Sequence, residues 1–298
     1  MTAPCLTPDR PSLLPAPDWG ALLPYAALAG SVLSVCLGTS FAKQLFPLIG
    51  APATVAYRVG FSALVLMLVF RPWRLSLRRA EGLAVLRYGA AIGLMNFCFY
   101  MALRSIPLGL ALAIEFLGPL SVSLIHARRP AHFAAVGLAV AGLSLLLPRP
   151  QGGPALDPVG VGFALAAAVF WGSYILFGKR TGQLPAGAAV ALGMGTAACL
   201  VVPVGVATAG AAMFSLPLAA MGLVAAVLSS AVPYSLEMVA LKRLPARHFG
   251  VLMSVEPAVG ALAGALLLGE HLAGLQWLAV GLVVAASAVS VLAAGKAH

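Results

Sequence analysis

Two glutamates lie inside segments that are otherwise apolar: Glu115 in LALAIEFLGPLSVSL and Glu256 in VLMSVEPAVGALAGALLL. Each follows a proline that begins an apolar run, Pro107 in the first case and Pro245 in the second. A carboxylate near the centre of a bilayer costs about 2.5–3.5 kcal/mol on insertion scales, so an acid at this depth points to a function. Such a carboxylate can carry a proton or bind a substrate ammonium group. The alternative is a structural hydrogen bond to a neighbouring helix.

Four further ionisable residues lie in or beside apolar runs. Arg58 follows ATVAY and Lys43 follows SFA, and either cation could bind a substrate carboxylate, Arg58 through two parallel hydrogen bonds. The alternatives are a pair between Arg58 and a buried glutamate, and a Lys43 side chain that extends to the membrane surface. Glu237, in PYSLEMVAL, could line a vestibule or pair with a basic neighbour. Glu270, in LLLGEHL, is predicted to cap the helix that follows it.

Six uncharged polar or aromatic residues within the apolar runs complete the candidate set. They could shape a cavity and hydrogen-bond a substrate: Asn96, Tyr100, Trp171, Tyr174, Tyr234 and Ser235. For any single one, contact between helices is the simpler interpretation.

Motifs of enzymes and pumps do not occur in the sequence. The histidines show no metal-binding spacing, and there is no phosphate-binding loop, dinucleotide fingerprint or nucleophile elbow. The four cysteines have neither CxxC nor metal-ligand spacing. We therefore predict no catalytic residues, no metal site, no cofactor and no enzymatic activity.

The composition indicates a membrane protein. Of 298 residues, 61% are hydrophobic and only 9% are charged, and the mean hydropathy is +1.02, whereas a soluble domain has about 25% charged residues. The net charge of +10 could suggest a nucleic-acid partner. However, the basic residues lie in short gaps between apolar runs, where they determine membrane topology. Nucleic-acid binding is therefore not expected.

Ten apolar runs are long enough to cross about 30 Å of hydrocarbon as helices. They fall near 22–41, 53–70, 84–103, 107–126, 132–148, 158–178, 185–206, 216–241, 246–268 and 273–293. Five prolines lie at or near predicted helix starts, where a missing N–H is tolerated: Pro52, Pro107, Pro158, Pro185 and Pro245. The sequence thus predicts an all-α polytopic membrane protein with ten transmembrane helices.

The basic residues also predict an orientation. If the N-terminus is cytoplasmic, the segments on that side contain fourteen lysines and arginines, and the opposite side contains only Lys43, Arg104 and Arg149. An excess of lysine and arginine marks the cytoplasmic side, so both termini are predicted to be cytoplasmic. The N-terminal segment 1–20 is rich in proline and lacks a secretory signal. We predict that it is a disordered cytoplasmic tail.

An internal repeat divides the chain into two sets of five runs. YMALRSIP at 100–107 matches MVALKRLP at 238–245, and Glu115 and Glu256 follow at similar distances. Because five is odd, the two sets must have opposite orientations, as in many secondary transporters. The sequence predicts repeats at 21–148 and 158–293, joined by a linker at 149–157. Coincidental similarity between apolar helices is the alternative.

Several long strings resemble the EamA-type drug/metabolite transporters. These are GTSFAKQLFPLIGAP at 38–52, FRPWRL at 70–75, GLMNFCFYMALRSIPLGLALAIEFLGPL at 93–120, ARRP at 127–130, and LSSAVPYSLEMVALKRLPARHFGVLMSVEPA at 228–258. More closely, the sequence resembles the bacterial inner-membrane exporters of threonine and homoserine. The resemblance implies two inverted five-helix repeats and proton-driven export of small neutral amino acids. No motif identifies threonine itself.

The expected function is therefore secondary transport across the inner membrane. The partners would be an amino-acid substrate, protons and the lipid bilayer. In the simplest mechanism one central glutamate binds either a proton or the substrate ammonium, which makes exchange obligatory. The alternatives are an exporter of broader specificity, for other amino acids, nucleosides or drugs, and a membrane receptor or subunit without transport.

Overall fold

A computed structural model describes residues 19–125, 130–146, 156–181, 184–244 and 252–294. Within these residues the chain is all α-helical and contains no strand. Nearly all of the predicted tail and linker, and the start of the ninth predicted run at 246–251, lie outside the described residues.

The first half of the chain contributes six helices. They are α1 (Trp19–Lys43), α2 (Phe46–Phe70), α3 (Arg79–Ala102), α4 (Leu108–Glu115), α5 (Leu117–Ile125) and α6 (Pro130–Leu146). The second half contributes α7 (Pro158–Lys179), α8 (Ala186–Ala209), α9 (Leu216–Ala226), α10 (Val232–Arg243), α11 (Glu256–Leu268) and α12 (Gly274–Ala294). A π-helical turn, Val227–Ala231, joins α9 to α10.

Several of these helices can cross a membrane. Five in the described part of the chain are long and apolar enough: Leu23–Lys43, Phe46–Phe70, Arg79–Ala102, Pro158–Gly178 and Gly187–Phe214. Five apolar helices are shorter: Leu108–Val122, Phe133–Gly142, Leu216–Ala231, Glu256–Leu268 and Gly274–Ser290. A polytopic, helical membrane protein is thus confirmed. The count of ten transmembrane helices and their orientation stay predictions.

Local sequence explains where the helices begin and break. The Asp157 carboxylate accepts hydrogen bonds from the amides of Val159 and Gly160 and thereby caps α7. The Ser105 hydroxyl and the Gly160 amide hold the pKa of this exposed carboxyl below its ordinary value.

α2 begins at Phe46 and not near residue 53, but its backbone is non-helical at Gly50, where φ is 78°. The predicted start near residue 53 therefore lies just after this break and not at the first residue of the helix.

Proline interrupts the two helices that carry the buried glutamates. Pro119 has no N–H, so the carbonyl of Glu115 loses its donor four residues ahead, and α4 ends at Glu115. Pro257 is the second residue of α11 and tolerates its position because the first amides of a helix need no intrahelical acceptor. Each glutamate therefore lies at a helix end inside the protein rather than in mid-helix.

The most extensive helix contacts join the two halves of the chain. α2 packs against α8, α3 against α7, α6 against α12, α1 against α10, and α4 against α11. α4 and α11 approach most closely at Gly109, where an added Cβ would lie 2.3–2.6 Å from three atoms of Ala261. This close crossing brings the helices of Glu115 and Glu256 together at the interface between the halves.

Candidate functional site

Arg58 is the centre of a buried polar cluster between α2, α3 and the π-helical turn. Its side chain is 7% exposed. Nε donates to Ser229 Oγ at 2.7 Å, Nη2 donates to the Ser229 carbonyl at 3.0 Å, and Nη1 donates to Asn96 Oδ1. The guanidinium carbon lies 5.4 Å from the centre of the Tyr100 ring, within cation–π range. Two of the five guanidinium N–H groups have no acceptor among the described residues.

The Ser229 carbonyl is available to Arg58 because of a proline that follows it in the sequence. Pro233 stands four residues after Ser229 and has no N–H, so an α-helical hydrogen bond to the Ser229 carbonyl cannot form. The π-helical turn at this point also turns the Ser229 hydroxyl toward Arg58. Gly38 of α1 packs directly against the turn, because a Cβ there would lie 2.5 Å from the Ser229 nitrogen. The turn is thus held from one side by α1 and from the other by Arg58.

Glu115 and Glu256 are both buried, and neither forms an ion pair with another described residue. Their side chains are 5% and 6% exposed, and the one ion pair in the described part of the chain involves neither of them. Glu256 Oε2 is completely buried without a donor. The two carboxylates interact electrostatically with each other, and each with Arg58. Within the described residues, no hydrogen bond to a neighbouring helix holds Glu256 Oε2.

Glu237 lies near this group and is held by α1. Ser31 of α1 donates to Glu237 Oε1 at 2.7 Å, and the same hydroxyl is 3.3 Å from the Pro233 carbonyl. Glu237 interacts electrostatically with Glu256. Two carboxylates therefore interact with the Arg58 guanidinium and a third interacts with Glu256, so the cluster has an excess of acidic groups.

The structure answers the question of how Arg58 is paired. Across the ranges that the structure describes, Lys43–Glu270 is the only ion pair, at 2.6 Å, so Arg58 is bonded to neutral partners and not to a buried glutamate. The alternative prediction, a pair between Arg58 and a buried glutamate, was therefore wrong. Ser229, which provides two of its three acceptors, was not among the predicted site residues, although the Pro233 four residues ahead is visible in the sequence.

Lys43 and Glu270 form a separate polar contact at one end of the bundle. Glu270 Oε1 accepts from Lys43 Nζ at 2.6 Å, and Oε2 accepts from the backbone amide of Leu108 at 2.9 Å. Glu270 thus caps α4, not the following helix α12, because the loop after α11 folds back over the start of α4. The prediction that Glu270 caps a helix was therefore right, but the predicted helix, α12, was wrong. Lys43 is 21% exposed and is tied to Glu270, so it lies apart from the central cluster.

The remaining predicted residues, apart from Asn96, lie in different surroundings. The Tyr100 hydroxyl is fully buried near Thr39 and Ser229, and in the described part of the protein it has no hydrogen-bond partner of good geometry. Trp171 packs edge-on against Phe116, the residue after Glu115, with ring centres 5.1 Å apart. Tyr174 stacks on Tyr88 at 5.1 Å. The side chains of Tyr234 and Ser235 lie outside the described residues.

Removing the Glu270 carboxylate is expected to destabilise the protein. Glu270→Ala leaves Lys43 half-buried without its partner and the amide of Leu108 uncapped, so the free energy of unfolding should fall by about 1–3 kcal/mol. Thermal unfolding of the detergent-purified protein measures this loss. The exchanged pair Lys43→Glu with Glu270→Lys restores the ion pair but not the cap and should recover only part of the stability. Unfolding of Glu270→Ala at the wild-type temperature would contradict this role.

Comparison with known proteins places these features in a family. Residues 158–292 match the EamA-like transporter family. The chain is 45% identical over 285 residues to the threonine/homoserine exporter RhtA of Escherichia coli (strain K12), covering 96% of each protein. It is 46% identical over 276 residues to the threonine/homoserine exporter RhtA of Salmonella typhimurium (strain LT2), covering 93% of this chain and 92% of the relative.

A solved crystal structure shows the same fold. It superposes with a TM-score of 0.58 at 20% sequence identity, over 91% of this chain and 97% of that chain. The similarity to the two exporters extends over almost the whole sequence, with aligned lengths of 285 and 276 residues. The chain therefore belongs to the EamA-like transporter family of the drug/metabolite transporter superfamily, among its RhtA-like members.

Proposed function

We propose that this protein is a secondary active exporter that exchanges small neutral amino acids, threonine and homoserine, for protons across the bacterial inner membrane. Its family supports an amino-acid exporter. One observation carries the coupling mechanism: Glu115 and Glu256 are both buried at the interface between the two halves, and neither forms an ion pair with another described residue. Unpaired acids at such a position are costly unless they take up a proton or a cation during the transport cycle.

The arrangement of the helices supports two inverted repeats of five spans each. Pairing of α2 with α8, α4 with α11, and α6 with α12 joins predicted counterparts. The remaining contacts are α1 with α10 and α3 with α7. Because α7 is the predicted counterpart of α1, and α10 lies in the predicted counterpart of α3, these two contacts are equivalent under exchange of the halves. A pseudo-two-fold axis between the halves accounts for all five pairs. Alternating access would then be a rocking of one half against the other around the polar cluster.

Three segments that the count of basic residues places on the periplasmic side meet at one end of the bundle. Lys43 ends α1, Leu108 begins α4, and Glu270 follows α11, and all three meet in one contact. This agreement supports the proposed orientation, with both termini cytoplasmic. The Lys43–Glu270 contact would then hold the periplasmic side closed and would have to open for release of substrate.

A zwitterionic amino acid fits the charges of the central cluster. Its ammonium group would bind Glu256, whose Oε2 has no donor among the described residues, or Glu115, which is also outside any ion pair there. Its carboxylate would accept from the two unused N–H groups of Arg58, which suit a planar, bidentate partner. The hydroxyl of threonine or homoserine would find polar groups at Tyr100 and at Ser40 or Ser230, whose hydroxyls are buried without hydrogen-bond partners in the described ranges.

Proton coupling follows from competition for one carboxylate. A protonated Glu256 cannot bind an ammonium ion, and an ionised Glu256 left empty in the membrane is unfavourable. The carrier would therefore return to the cytoplasmic side only with a proton and move outward only with substrate. The cluster contains three acidic residues, Glu115, Glu256 and Glu237, and one guanidinium, so it can have the negative charge that this competition needs.

Counterflow in proteoliposomes tests this proposal directly. Vesicles loaded with unlabelled threonine should accumulate labelled threonine and homoserine, and an imposed pH gradient should drive net flux in the direction opposite to proton movement. A panel that also contains aromatic amino acids and nucleosides identifies an exporter of broader specificity. Absence of counterflow for every amino acid, with folded protein in the membrane, would instead indicate a receptor or subunit without transport.

A further inference from the structure

A groove between α3 and α7 combines positive charge with apolar walls. Its volume is about 230 Å³, and it is lined by Ala80, Leu83, Ala84, Arg87, Phe177 and Arg180. Four of these residues present apolar surface and two end in guanidinium groups, while no lining residue is acidic. The groove therefore suits a molecule that is anionic at one end and apolar at the other.

The position of the groove relates it to the membrane surface. Arg180 directly follows the last residue of α7, and Arg87 lies eight residues after the start of α3, roughly 12 Å along the helix axis. Both arginines are exposed, and long basic side chains near helix ends extend toward the lipid headgroups. Leu83 and Leu86 are 49% and 54% exposed. They continue the apolar wall outward along α3, where acyl chains would contact it.

We propose that this groove binds one anionic phospholipid of the leaflet that surrounds the Arg87–Arg180 end of the bundle. The headgroup phosphate lies between Arg87 and Arg180, and an acyl chain follows Leu83 and Leu86. Guanidinium groups bind phosphate oxygens bidentately, and basic pockets between transmembrane helices are suited to anionic headgroups. A free phosphate ion would leave the apolar walls uncovered.

The surrounding charges favour this ligand. Arg71, Arg74, Arg78 and Arg79 are exposed on the segment that leads into α3, so the positive potential extends beyond the groove. Glu81, in the first turn of α3, already accepts a hydrogen bond from the backbone amide of Arg78 at 2.8 Å. The bound lipid would bridge α3 and α7, which belong to different halves of the chain. It would thereby stabilise the contact between the halves on this side.

Native mass spectrometry of the full-length protein, titrated with phosphatidylglycerol or phosphatidylcholine, tests the proposal. We expect selective binding of phosphatidylglycerol. Each basic residue near an anionic lipid contributes roughly a fivefold change in affinity, so Arg87→Gln with Arg180→Gln should raise the Kd about thirtyfold. Arg243→Gln, an exposed arginine at the end of α10, is the matched control and should bind as the wild type does.

A second variant separates the groove from the general positive charge. Ala84→Phe keeps every arginine but fills the groove, and it should weaken phosphatidylglycerol binding to a similar degree. Unchanged binding by Ala84→Phe or by the double arginine variant would overturn the proposal. Equal binding of phosphatidylcholine, or displacement of phosphatidylglycerol by excess inorganic phosphate, would also overturn it. Because export does not enter these measurements, the result is independent of the proposed transport function.

Discussion

Replacing Glu256 with glutamine is expected to abolish proton-coupled export. Glutamine has nearly the same shape, but it neither ionises nor exchanges a proton, and it cannot pair with an ammonium group. Because Glu256 Oε2 is completely buried and unpartnered, no neighbouring donor within the described residues compensates for the change. Flux driven by a pH gradient in proteoliposomes should fall by about two orders of magnitude or more, as is typical when a group that transfers protons is removed.

Glu115→Gln separates the roles of the two acids. Glu115 also lies at a helix end and forms no ion pair with a described residue, but a proline directly follows only Glu256. We expect Glu115→Gln to reduce substrate affinity while a pH gradient still drives flux. Glu81→Gln is the control, because glutamine preserves the cap of α3 outside the site. Normal proton-coupled flux in both Glu115→Gln and Glu256→Gln would contradict the mechanism.

The sequence was sufficient to predict much of the fold because lipid permits few alternatives. Every backbone group in a bilayer must be bonded within its own segment, so long apolar runs have to be helices. The same argument explains why the buried acids were recognisable, since charged residues are rare in such runs. The predictions of an all-helical membrane protein, an EamA-type family and two buried glutamates are confirmed.

The partners of these residues were less accessible to sequence reasoning. Which acceptor Arg58 selects depends on the packing of α2 against the π-helical turn, and serine is too common in membrane helices to single out Ser229. Glu270 lies next to α12 in sequence, but the fold of its loop directs it to α4. Contacts between distant segments of this kind follow from helix packing, for which apolar periodicity gives little information.

Arg58 is expected to recognise the carboxylate of the substrate, and its replacement should change which compounds are transported. The wild-type protein should discriminate strongly against threoninamide, because a site that binds a carboxylate rejects the analogue that cannot accept both hydrogen bonds. Arg58→Gln removes the charge and the two unused N–H groups. We expect threonine flux to fall by about a hundredfold or more, with the preference for threonine over its amide largely lost.

Two further variants distinguish recognition from structural support. Arg58→Lys retains a positive charge but cannot reproduce three hydrogen bonds and a bidentate contact together, so we expect it to restore little of the threonine flux. Ser229→Ala removes the hydroxyl that accepts from Nε and leaves the guanidinium in place, which should lower stability by about 1 kcal/mol while preserving the preference for the acid. If Arg58→Gln folds, transports threonine and still rejects threoninamide, the carboxylate is bound elsewhere, and Arg58 serves only to hold α2 against the π-helical turn.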